Sequence, residues 1–133
     1  MNDVELKNNI TEMLMSLKIS PAIYGFDYIR KAVEFCKKDS KLIYNITSQL
    51  YPKVAQFYNV KPSIVERCIR KAITISYENG GLLGINEIYN MVIYTNNYKL
   101  TNGELISMLT EKLRLMELRE EYEYKRTSND SED

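Results

Sequence analysis

Apolar residues recur along this chain at intervals of three and four. Leu6, Ile10, Met13, Leu14 and Leu17 form one such stripe, and Ser20-Pro21 closes the helix that it predicts. Phe26, Ile29, Val33 and Cys36 predict a second helix, with Gly25 before it and the polar run 37–41 after it. Ile43, Ile46 and Leu50 mark a third, expected to stop before Pro52 because a proline pushes its preceding residue out of the helical region. Gly80, Gly81 and Gly84 read as a helix stop and loop, after which Ile85, Ile88, Tyr89 and Val92 predict a short helix leading into the polar connection 95–100. Thr101-Asn102-Gly103-Glu104 has capping-box spacing, and Leu105, Met108, Leu109, Leu113 and Met116 then recur as the apolar face of a long final helix. Alternation with a period of two is suggested only around 91–95. The expected fold is therefore an all-α, compact helical domain of about six or seven helices.

Between the third stripe and the glycines, residues 51–71 read as two helices joined by a tight turn. Pro52 suits the first turn of a helix, and Val54, Ala55 and Tyr58 share one side of it. Ala55 is small where two helices have to touch, and Asn59 tolerates the left-handed conformation that such a turn commonly needs. Pro62-Ser63 then starts the next helix. At about 100° per residue, Val65, Cys68, Ile69, Ala72 and Ile73 form its inward stripe. The opposite arc holds Ser63, Glu66, Arg67, Arg70, Lys71 and Thr74, with Ile64 at its edge and Lys61 just ahead. This is the layout of a helix-turn-helix, with cations and hydroxyls suited to phosphates and base edges. Taken alone, a charged arc is equally what any amphipathic helix shows to water; the small residue, the Asn turn and the proline starts favour DNA.

Charge refines that picture. The chain of 133 residues has 18 basic and 18 acidic side chains, yet residues 117–133 hold seven acids and three bases, a net −4 that leaves +4 for 1–116. Lys53, Lys61, Arg67, Arg70 and Lys71 gather in the two-helix segment, and local charge governs a nucleic-acid contact more than the total does. We expect one helix-turn-helix domain over 1–118 and a polar acidic tail over 119–133 without regular structure.

The chain contains no histidine, which removes Ser-His and Cys-His nucleophiles, common zinc sites and phosphohistidine relays. The glycines form no phosphate loop, and Cys36 and Cys68 each sit on an apolar stripe as reduced core residues. No enzyme, cofactor or metal is expected. A polar N-terminus and the lack of an apolar run of about 18 residues give a cytoplasmic expectation, on the bacterial nucleoid if DNA is the partner.

Three blocks, YGFDYIRKAV at 24–33, NITSQLYPKVAQFYNVKPSIVERCIRKAI at 45–73 and KLTNGELISMLTEKLRLME at 99–117, are similar to the C-terminal DNA-binding effector domain of the stage-zero sporulation response regulator. The resemblance covers roughly residues 9–117. It implies an all-helical domain whose recognition helix, here 62–79, enters the major groove of double-stranded DNA, with copies bound in tandem. Glu66, Arg67 and Arg70 match recognition residues of the family, and Lys71 replaces a histidine. Ile64 stands where the family has a base-reading arginine. Residues 77–85 correspond to the region that touches the RNA polymerase sigma factor, with Leu83 in place of an acid and extra glycines. The family's regulator begins with a receiver domain, for which this chain has no room, so a stand-alone regulator is expected. The competing expectation is an interaction protein that pairs with a full-length regulator or polymerase without reading DNA.

Overall fold

The computed structural model describes residues 1–132, and among these every regular element is helical. Six α-helices occur: α1 (Asp3–Ser16), α2 (Tyr24–Lys38), α3 (Tyr51–Tyr58), α4 (Pro62–Glu78), α5 (Gly84–Tyr89) and α6 (Asn102–Glu132). Helix α2 is the hub. Its buried face of Gly25, Phe26, Tyr28, Ile29, Ala32, Val33 and Cys36 packs against α1, α3, α4 and α6. Leu6, Ile10, Leu14 and Leu17 from the α1 side and Leu105, Leu109 and Leu113 from α6 join the same core. Each fully buried side chain of this kind contributes about 1.5–3 kcal/mol through apolar area removed from water. No helix among the described residues is long and apolar enough to cross a membrane.

Helix ends follow local chemistry. The Asn2 side chain accepts from the Glu5 amide at 2.8 Å and caps α1. Thr101 and Glu104 exchange reciprocal bonds, 3.0 Å from the Thr101 amide to the Glu104 carboxylate and 3.1 Å from the Glu104 amide to the Thr101 hydroxyl, so the capping box forms as its spacing predicts. At the far end of α1, Lys18 takes the left-handed conformation (φ 55°), while Ile19 and Lys18 amides return to Leu14 and Met15 carbonyls. Asn59 and Asn90 close α3 and α5 with the same pair of bonds.

The third apolar stripe behaves differently from its prediction. Residues Ser40–Tyr44 form a 3-10 turn, and Ile46–Leu50 form one π-helical turn that runs straight into α3. Tyr51, immediately before Pro52, is helical at φ −60°, ψ −45°, so the expected stop does not occur. A proline ring crowds the carbonyl four residues earlier, and the wider π turn relieves that crowding without breaking the rod. The run 91–95 forms no strand. Asn86 organises it instead, accepting from the Ile93 and Tyr94 amides at 2.9 and 3.0 Å and donating to the Tyr94 carbonyl at 2.8 Å. Val92 consequently lies outside α5 and is exposed.

Residues 119–132, expected to lack regular structure, continue α6, while Asp133 lies outside the described residues. No buried stripe supports residues 118–127, whose side chains are all exposed. A helix already nucleated needs only favourable propagation, and this segment is rich in Glu, Arg and Lys, with an Arg119–Glu123 pair at 3.3 Å one turn apart.

Candidate nucleic-acid interface

Helices α3 and α4 form the two-helix unit that the sequence anticipates. Asn59 turns the chain at φ 56°, ψ 50°, the Val60 amide returns to the Ala55 carbonyl at 2.9 Å, and Lys61 is extended ahead of Pro62. Val54 and Ala55 are buried on α3. On α4, Val65, Ile69, Ala72 and Ile73 are buried as their spacing requires, and Cys68 is half-buried. Ser76 is buried too, a position absent from the predicted stripe although it follows Ile69, Ala72 and Ile73 at the same intervals. Its hydroxyl donates to the Leu17 carbonyl at 2.6 Å, which lets a polar group occupy an apolar position.

The expected contact residues divide by environment. Lys61, Ser63, Arg67, Arg70 and Lys71 are exposed, and Glu66 is partly so. Ile64 is half-buried and packs on the core edge. Thr74 is half-buried, and its hydroxyl donates to the Arg70 carbonyl at 2.9 Å. Among the described residues Lys61, Arg67 and Lys71 carry no ion pair. Arg70 does, with a guanidinium nitrogen 2.6 Å from Glu66, one turn earlier. An exposed pair of this kind adds only about 0.3–0.5 kcal/mol to the helix, so its main consequence is orientation: the fork of Arg70 is held along the exposed arc. Lys53 belongs elsewhere. Its ammonium lies 5.2 Å from the Phe35 ring centre on α2 and does not join the α4 arc.

Two neighbours of α4 come from distant sequence. Asn102, in the first turn of α6, donates to the Tyr51 hydroxyl at 3.0 Å and to the Glu66 carbonyl at 3.1 Å, tying α3, α4 and α6 together. Burial pushes the Tyr51 phenol above its ordinary pKa, against a smaller opposite effect of the Asn102 contact, so the hydroxyl stays neutral. Lys99 places its ammonium 3.1 Å from the Thr74 hydroxyl. Neither residue carries a periodicity signal that would tie it to α4, because both reach it through tertiary packing.

The resulting surface is one helix face with three cations, of which Arg70 is braced by the Glu66 carboxylate, together with hydroxyls, and with a buried apolar face behind it. Its groups can donate to phosphates and to base acceptors. A family model described as sporulation initiation factor Spo0A C terminal matches residues 10–113. The matched stretch contains the whole of α2 through α5, including the two-helix unit, together with the α6 capping box.

Proposed function

The chain belongs to the Spo0A C-terminal family of DNA-binding effector domains of sporulation regulators, and from that premise we propose that it is a stand-alone regulator of transcription reading the major groove through α4. The observation that carries the reading is the division of α4 into a buried apolar face and an outward arc of Ser63, Arg67, Arg70 and Lys71. Arg67 and Arg70 offer forks to guanine or phosphate, Glu66 can accept from cytosine, and Lys61, Lys71, Ser63 and Thr74 supply contacts toward the backbone. Residues 1–118 constitute the reading unit in this proposal, and they act on the nucleoid without a phosphoryl donor. Occupancy of tandem sites and contact of residues 77–85 with a sigma factor belong to the same reading.

Selection of bound duplexes from a random pool tests it. Enrichment of one motif is expected, equally with and without a small phosphodonor, and a chain ending at Leu118 is expected to select the same motif. Absence of duplex binding even at low salt would overturn the reading in favour of a protein-binding role.

Ile64 sets a specific expectation. Its side chain cannot donate to guanine, while its methyl groups can meet a thymine methyl, so the native chain should discriminate weakly for G·C at the base pair it faces. Because Ile64 is only half-buried, the stem of an arginine can cover the same apolar edge while its head reaches out. Ile64→Arg is expected to gain about 1–3 kcal/mol of preference for G·C, roughly ten- to a hundredfold, with little change in melting temperature. Duplexes differing at that one base pair provide the measurement; an unchanged preference in a variant that melts normally would remove Ile64 from the reading face.

A further inference from the structure

Lys99 lies outside the two-helix unit, 25 residues beyond Thr74, yet it stands beside α4 on a segment that is fixed at both ends. Upstream, Asn86 holds the backbone of Ile93 and Tyr94. The Tyr94 hydroxyl donates to the Tyr98 carbonyl, and the Asn96 side chain reaches the Tyr77 carbonyl at the end of α4. Downstream, Leu100 is buried and Thr101 is locked in the capping box. The Lys99 side chain itself is exposed, and its ammonium meets the Thr74 hydroxyl one turn beyond Arg70. Arg70 and Lys99 thus line one groove of 430 Å³ along the flank of α4, with the Thr47 and Thr101 hydroxyls beside them. The two carboxylates nearby are engaged: Glu66 pairs with Arg70, and Glu104 accepts from the Thr101 amide.

We propose that Lys99 is a DNA phosphate contact, gripping the backbone at the wall of the groove that α4 enters. This rests on the reading of α4 given above. A helix lying in a major groove about 12 Å wide has a sugar-phosphate wall on each flank, and a residue beside the helix, off its exposed arc, meets that wall and not the base edges. An ammonium on a flexible stem suits a phosphate as a point charge, and it carries no base information. The Thr74 contact holds the stem along α4 before DNA arrives.

The test is a salt titration of 20-base-pair duplexes, one of random sequence and one carrying a motif selected by the native chain. Loss of one phosphate contact should lower the magnitude of the log–log salt slope by about 0.9, equivalent to about fivefold in affinity at 0.15 M salt. Lys99→Ala is expected to show that loss on both duplexes alike, with an unchanged melt, and Lys99→Arg is expected to restore it. An unchanged slope for Lys99→Ala, or a loss confined to the selected motif, would overturn the proposal while leaving the reading of α4 intact. Failure of the native chain to bind either duplex would overturn both.

Discussion

Replacing Arg67 and Arg70 together by alanine is expected to reduce duplex affinity by more than a hundredfold while leaving the fold in place. Charge-assisted hydrogen bonds contribute about 1.5–3 kcal/mol each, so losing two removes about 3 kcal/mol or more. Both side chains are exposed, and the only described ion pair that is lost is Arg70–Glu66. That pair is worth a few tenths of a kcal/mol, too little to move the melt appreciably. The single variants divide the roles. An arginine that touches only phosphate weakens all sequences equally and reduces the salt slope by about 0.9, whereas one that forks onto guanine relaxes preference at one position. Arg70 has a brace and Arg67 has none among the described residues, so Glu66→Gln should disturb the contact of Arg70 and spare that of Arg67. A double variant that binds as the native chain does would remove α4 as the reading element.

Gly25→Ala is expected to have the largest effect on stability of the substitutions considered, and to weaken DNA binding through the placement of α4. Gly25 sits in the first turn of α2 where α4 crosses it. A Cβ there would lie 2.5 Å from the Cys68 carbonyl oxygen and 2.7 Å from the Ala72 Cβ, so the obstruction is largely backbone and cannot swing aside. Overpacking of this kind costs about 1–3 kcal/mol, and occasionally more, because the helices must separate. At roughly 4 °C per kcal/mol for a chain of this size, the midpoint should fall by about 4–12 °C. Gly80→Ala is the instructive contrast. Gly80 has φ 77° and nothing within 4 Å of a Cβ, so its penalty is conformational, about 1 kcal/mol, and DNA affinity should hold. A melt of Gly25→Ala equal to that of the native chain would show that α2 and α4 can part without cost, and would undo the account of how α4 is held.

The elements that the sequence determined are those whose causes are local. Helix α4 could be placed to its proline start and its buried stripe because side chains one turn apart share a face whatever surrounds them. Asn59 and the Thr101–Glu104 box were legible for the same reason, since each satisfies backbone groups within a few residues. The exposed arc of α4 followed from the stripe, and the family resemblance from the same blocks. Packing decided the rest. The stripe at Ile43, Ile46 and Leu50 has helical spacing, yet whether it becomes an α, 3-10 or π turn depends on how Pro52 and the hub helix constrain it. The glycines at 81 and 84 read as loop, but a Cβ on either would strike the backbone at the end of α1, at 2.3 Å from the Leu17 oxygen and 2.1 Å from the Ser16 oxygen. The Asn102 tie and the approach of Lys99 to Thr74 are likewise tertiary, whereas the bracing of Arg70 is a local pair one turn apart within α4. Hydrophobic spacing reports which face of a helix is buried and is silent on what lies across from it, so Lys99 and Asn102, which meet α4 from 25 and 36 positions away, have no signature until the chain is folded.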